Sequence, residues 1–145
     1  MNKKGFTLLE ILLSLTLITF VVLITISLIN PGQQVADVNN VQRQADILNI
    51  YTAINQYREA NNGILPAGIN TTAINICQAG CTESSSQIDI SLELNPYLRL
   101  NTLPIDPLQT GSILTGYTVY VDSQSGRVVV SAPLAENNII INTIE

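Results

Sequence analysis

The order of hydrophobic and polar residues divides the chain near residue 30. From Phe6 to Ile29, 17 of 24 residues are Phe, Leu, Ile or Val, and the other seven are Thr, Ser and one Glu. A helix of 24 residues is about 36 Å long, which is enough to cross a hydrocarbon layer of about 30 Å. The sequence therefore predicts a hydrophobic helix over residues 6–30 that is able to span a membrane.

A second, amphipathic helix is predicted to follow. Residues 30–33 are typical of a helix start, with Asn30 as N-cap and Pro31 in the first helical position. Because proline disfavours a helical conformation of the residue before it, a kink is expected near Pro31. Asn62-Gly63 indicates the end of the helix. The apolar stripe expected to face the core has spacings of three and four residues: Val35, Val38, Val41, Ala45, Leu48, Tyr51, Ile54 and Tyr57.

The remaining residues predict a small sheet. Segment 64–89 is polar without periodicity, which predicts a loop, and segment 92–100 predicts a short helix or turn packed on the domain. Strands Gly116–Asp122 and Arg127–Ala132 are joined by a four-residue hairpin loop, and Asn138–Ile144 is predicted to be a third strand. The predicted fold is α+β: a long N-terminal helix packed on a C-terminal antiparallel sheet of about three strands.

The distribution of charge predicts how the chain is oriented across a membrane. Lys3 and Lys4 precede the hydrophobic segment, and no further basic residue occurs before Arg43, so the N-terminus is expected to be cytoplasmic and the body exported. From Phe6 onward, four Arg stand against eleven acids, and this side-chain charge of −7 argues against nucleic-acid binding. Four charges lie off the apolar stripe and are expected to be solvated, with pairing to another chain as the alternative: Arg43, Asp46, Arg58 and Glu59.

Glu10 is the one charged residue inside the hydrophobic segment. A carboxylate within a bilayer is costly and usually has a partner. Near the headgroups, however, the dipole at a helix start also favours an acid. A cleaved secretory signal is a rival explanation of the segment, but its apolar core is shorter and ends in a small-residue cleavage site.

The first ten residues, with a short basic leader ending in Gly5, then Phe6 and Glu10, resemble the start of type IV prepilins and type II secretion pseudopilins. The resemblance implies cleavage between Gly5 and Phe6 by a prepilin peptidase, N-methylation of the new Phe6 amine, and retention of the helix. The chain then divides into a leader (residues 1–5), a membrane and assembly helix (6–30) and an exported pilin-like domain (31–145).

The implied function is structural: a subunit of a type IV pilus or related pseudopilus, without enzymatic activity. Its implied partners are other copies of the chain, the prepilin peptidase/N-methyltransferase, the bilayer before assembly, and an inner-membrane assembly platform with its cytoplasmic ATPase. The implied location is the bacterial inner membrane, followed by an extracytoplasmic or cell-surface filament. In such a filament Glu10 of one subunit can neutralise the Phe6 amine of its neighbour and set the register. The alternative is a permanent single-pass membrane protein with an extracytoplasmic binding domain.

The body offers few groups for other chemistry. Cys77 and Cys81 are expected to form a local disulfide rather than stay free, because a zinc site lacks further ligands and a redox motif normally has two intervening residues. No cofactor or metal is predicted. Major pseudopilins can bind calcium through loop oxygens near the C-terminal sheet. Only Asp106 and Asp122 are candidates for such a site here, and they are too few for six to eight oxygen ligands. The scattered acids are expected at turns or on the surface: Asp89, Asp106, Asp122 and Glu136.

Overall fold

The computed structural model describes residues 5–28, 31–82 and 84–143. The chain divides into two compact units, residues 1–34 and 35–145. The first unit contains helix α1, Leu8–Leu28, and the start of helix α2, Pro31–Ala60. The stretch Leu8–Ile26 is long and apolar enough to cross a membrane, and none of it is buried within the chain. The predicted N-cap Asn30 lies outside the described residues, and with it the predicted kink.

The second unit is a small mixed sheet covered by α2. Its further elements are β1 (Ile74–Cys77), β2 (Gln87–Ile88), α3 (Ser91–Leu94), β3 (Leu114–Val121) and β4 (Val128–Ser131). The strand order is β2-β1-β3-β4, and only the β1–β2 pair is parallel. This confirms the α+β class with a long helix on a sheet, but the sheet has four strands and is mixed, where about three antiparallel strands were predicted.

The core lies between the second half of α2 and one face of the sheet. Ile50 and Ile54 of α2 are fully buried against Ile76 of β1 and against Tyr117 and Val119 of β3. Each large apolar side chain buried in this way contributes about 1.5–3 kcal/mol to the free energy of folding. The contact fixes α2 on the sheet along its C-terminal half.

The predicted loop 64–89 and the predicted third strand are both wrong in part. The loop contains β1 and β2, because Ile74, Ile76 and Ile88 point into the core from strands too short to show periodicity. Described residues within 138–144 form no strand, only a bridge between Ser131 and Asn142. Asn138 has a positive φ of 55°, which interrupts an extended conformation.

The predicted core stripe of α2 is wrong over its first half. Val35, Val38, Val41 and Leu48 are 57–67% exposed. The face turned to the body instead carries residues one or two positions away: Ala36, Asn40, Arg43, Ile47 and Ile50. The helix therefore has a second apolar surface that the body does not cover.

The ends of the body elements agree better with the prediction. Helix α2 stops at Asn62-Gly63, where both residues have positive φ and Gly63 N donates to Arg58 O at 2.8 Å. In the predicted short helix or turn, Leu94 and Leu98 are buried, and α3 covers only its beginning. The remaining leucines of that segment, Leu92 and Leu100, are exposed.

Candidate functional site

The N-terminal segment begins with a capped helix. Thr7 precedes the first helical residue, and its Oγ1 accepts a hydrogen bond from Glu10 N at 3.2 Å. A threonine followed three residues later by glutamate is the sequence pattern of a capping box. Glu10 therefore lies in the first turn, where the helix dipole stabilises a carboxylate by roughly 0.3–1 kcal/mol.

Gly5 and Phe6 lie before the helix and are accessible. The Phe6 side chain is 79% exposed and stands two residues before Leu8, the first residue of α1. A Cβ placed on Gly5 would have no heavy atom within 4 Å. The described fold therefore does not require glycine at position 5, and a requirement for it would come from whatever recognises this segment.

Helix α1 offers a surface that is apolar on all sides. Its large hydrophobic side chains are 45–79% exposed. The hydroxyls of Ser14, Thr16, Thr19 and Thr25 donate to carbonyls three or four residues earlier, each at 2.8 Å. Their polar atoms are thus satisfied within the helix. No described basic group forms an ion pair with Glu10, so within this part of the chain its carboxylate is the uncompensated charge of an apolar surface.

A buried cluster of charges lies under α2, and the sequence did not indicate it. The Arg43 side chain is completely buried and donates from Nε to Asp106 Oδ2 at 2.7 Å and from Nη2 to Asp106 Oδ1 at 3.1 Å. Its Nη1 also donates to Glu136 Oε2 at 2.9 Å. The prediction that Arg43 is solvated is therefore wrong. Asp106 is a turn residue, as predicted, because its O accepts from Gln109 N and its Oδ1 from Leu108 N, both at 2.8 Å, but it is buried and not a surface charge.

Two asparagines extend this cluster to the loop around Glu136. Asn40 donates to Glu136 O and accepts from Glu136 N, both at 3.0 Å. Hydrogen bonds from Asn39 and from Arg43 lower the pKa of Glu136, so its carboxylate stays ionised beside the guanidinium. The first half of α2 is thus held on the body mainly by polar contacts, where apolar packing had been predicted.

Asp46 continues the polar face one turn further along α2. Tyr117 Oη donates to Asp46 Oδ2 at 2.7 Å. Burial raises the pKa of Asp46, although this hydrogen bond opposes the shift. The predicted solvation of Asp46 is therefore wrong in part. Of the other two charges predicted to be solvated, Glu59 is exposed and Arg58 is half-buried.

The other candidate residues form contacts that stabilise turns and strand ends of the body. Cys77 and Cys81 are joined by a disulfide at the end of β1. Asp122 Oδ2 accepts from Ser125 in the hairpin turn, and Asp89 accepts from the backbone at Ser91. Because Asp106 is occupied by Arg43, it is not available as a cation ligand with Asp122. Within the described ranges, no three His, Cys, Asp or Glu side chains converge on a metal position.

One comparison with known proteins gives a match, and it lies in the N-terminal segment. Residues 1–26 match the family model of the prokaryotic N-terminal methylation motif. This confirms the resemblance to prepilins over that segment, which is 26 of 145 residues. Comparisons with curated proteins and with solved structures gave no match.

Proposed function

We propose that the chain is a structural subunit of a type IV pilus or of a related pseudopilus. The observation that carries the proposal is the methylation motif placed at the start of a capped, exposed helix in which Glu10 is the one charged residue. Such a helix must be covered by a bilayer or by other helices. The precursor is anchored in the inner membrane by α1, with the leader cytoplasmic, and the processed chain polymerises through α1.

Processing changes the charge of this segment in a way that suits assembly. Hydrolysis of the peptide bond between Gly5 and Phe6 removes Lys3 and Lys4 and leaves an ammonium group on Phe6. Glu10 then carries a carboxylate four residues away. Within a low-dielectric bundle of helices an acid and an amine tolerate burial far better as a pair. Pairing between neighbouring subunits would therefore set their register.

Mass analysis of the purified protein tests the proposal. We expect a chain that begins at Phe6 and carries a methyl group on its N-terminal amine. A purified chain that retains residues 1–5 would instead favour a permanent single-pass anchor for a binding domain. A chain cut behind α1 would favour a secreted protein. Filaments seen by electron microscopy, and lost on deletion of the gene, complete the test.

Substitutions at two positions separate recognition by the peptidase from filament assembly. Gly5→Ala leaves the fold unchanged, because position 5 has room for a side chain, but we expect it to block cleavage. Glu10→Ala should allow cleavage and impair filament formation. Glu10→Asp keeps the negative charge and should therefore retain part of the filament formation. Normal filaments from the Glu10→Ala strain would contradict the pairing mechanism.

A further inference from the structure

The end of helix α2 carries an asparagine followed by glycine, a pair that occurs once in the chain. Asn62 and Gly63 are both exposed, and a Cβ placed on Gly63 would have no described heavy atom within 4 Å. Because glycine has no side chain, its backbone nitrogen can reach the carboxamide carbon of the preceding asparagine with little steric hindrance. Asn62 is therefore the asparagine whose side-chain amide is chemically the most labile.

Loss of this amide needs no reagent other than water. The backbone nitrogen of Gly63 attacks Cγ of Asn62, so that a bond forms between these two atoms and the bond from Cγ to Nδ2 breaks. The proton of the Gly63 N–H leaves with Nδ2 as ammonia, and a succinimide ring remains. Water then opens the ring at either of its carbonyls. The product is aspartate or isoaspartate, and the main chain of isoaspartate is one carbon longer.

The folded end of α2 holds the attacking nitrogen in a hydrogen bond. Gly63 N donates to Arg58 O at 2.8 Å, and the positive φ values of Asn62 and Gly63, 55° and 89°, belong to the same helix cap. The last turn is also fixed by Tyr57, whose ring lies edge to face on Tyr97 with the ring centroids 6.1 Å apart. Gly63 N can therefore attack only after this turn has opened.

We propose that Asn62 is a deamidation site that the cap of α2 protects in the folded chain. The rate in the folded chain is then the rate in the unfolded chain multiplied by the fraction of time that the cap is open. A modified chain closes the cap less well, because a carboxylate at the C-terminal end of a helix opposes the helix dipole and isoaspartate displaces Gly63 N. The modification therefore records irreversibly that the end of α2 has opened. It involves neither the leader nor α1, so it is independent of the proposed function.

Peptide mass spectrometry of the full purified chain in detergent tests the site and its protection. The chain is incubated at mildly alkaline pH with and without urea that unfolds the body, and the loss of each side-chain amide is followed with time. In urea we expect Asn62 to be the first asparagine to react. Without urea the reaction at Asn62 should be at least about tenfold slower, which corresponds to an open fraction of about a tenth or less.

A variant with a weakened cap tests the cause of the protection. Tyr57→Ala removes the ring that packs on Tyr97 and should speed the reaction at Asn62 several-fold without urea. Leu92→Ala, at a position 84% exposed, is the matched control and should leave the rate unchanged. Amide hydrogen exchange at Gly63, read on the same samples, measures cap opening and should rise in the same proportion, even in a variant that unfolds outright.

Three outcomes would overturn the inference. An intact Asn62 amide in urea, or an earlier reaction at another asparagine, would show that Asn62 is not the labile site. Equal rates with and without urea would show that the cap gives no protection. A reaction rate that does not follow the exchange at Gly63 would break the link between cap opening and chemistry. None of these outcomes bears on processing or filament formation.

Discussion

Removal of Arg43 should destabilise the body far more than removal of a surface arginine. In Arg43→Met the apolar stem remains, but the Asp106 carboxylate stays completely buried without its counter-ion. Loss of one partner of a buried ion pair costs about 3–5 kcal/mol. At about 4 °C per kcal/mol for a domain slightly larger than 100 residues, the melting temperature should fall by about 12–20 °C. Arg127→Met on the exposed hairpin is the control and should shift it by less than about 2 °C.

Tyrosine signals report this transition without interference from helix α1. The chain has five tyrosines and no tryptophan, and every tyrosine lies between residues 51 and 120. The tyrosine band of the near-ultraviolet circular dichroism spectrum, recorded on the purified chain in detergent, therefore follows the body, whereas both phenylalanines, Phe6 and Phe20, lie in the N-terminal segment. Urea titrations on the same samples give the free energy of unfolding directly.

A double-mutant cycle tests the cause of the loss. Asp106→Asn keeps an oxygen that can accept the hydrogen bond from Leu108 N but removes the charge that faces Arg43. The double variant Arg43→Met/Asp106→Asn should be more stable than the sum of the single losses predicts, by about 1–3 kcal/mol. A cost below about 1 kcal/mol for Arg43→Met, or strict additivity, would refute the account of Arg43 as a buried paired charge.

Three further predictions concern the body. Because burial raises the pKa of Asp46, the stability that this carboxyl contributes is full below its unfolded pKa of about 3.9 and is lost as the pH rises through its folded pKa. Asp46→Asn should therefore match or exceed the wild-type melting temperature at pH 7 and lose any advantage below a pH of about 3.9. A lower melting temperature of the variant at pH 7 would contradict this prediction. Replacement of Cys77 and Cys81 by alanine should cost about 2 kcal/mol in urea unfolding, the loop-closure value for five residues, and an unchanged midpoint would count against it. Gly116→Ala should cost more than Gly126→Ala, since both have positive φ but only at Gly116 would a Cβ lie 2.6 Å from another side chain; equal losses would rule out the clash.

Local signals in the sequence were sufficient to predict the motif and the apolar helix of the N-terminal segment. Gly5, Phe6 and Glu10 form a motif within ten residues. The cap at Thr7 was not predicted, although a hydroxyl and an acid three residues apart are a local signal for it. The length of the apolar helix needs no tertiary information either. The helix end at Asn62-Gly63 and the two strands of the hairpin are local in the same sense.

The orientation of α2 could not be predicted, because it depends on partners far along the chain. Arg43 meets Asp106 and Glu136 across 63 and 93 residues. No local pattern marks such a contact, and the polar Asn40 and Arg43 interrupt the apolar series that faces the body. The exposed series is the more regular of the two, so its periodicity predicted the wrong face; it consists of Val35, Val38, Val41, Ala45 and Leu48. Strands β1 and β2 were missed for a related reason, since strands of four and two residues exist only through their pairing.

The buried ion pair and the exposed valines of α2 are linked consequences of this orientation. A rotation of α2 by about half a turn would bury Val38 and Val41. It would also release Ile47, Ile50 and Ile54, because these isoleucines lie on the same buried face of the helix as Arg43. Burial of a large apolar side chain contributes about 1.5–3 kcal/mol, so the exchange of three buried isoleucines for two valines is unfavourable by itself. The rotation would also leave Asp106 buried and unpaired, at a further cost of about 3–5 kcal/mol. Apolar packing in the second half of α2 and the ion pair in its first half therefore favour the same orientation, and both leave Val38 and Val41 outside the core.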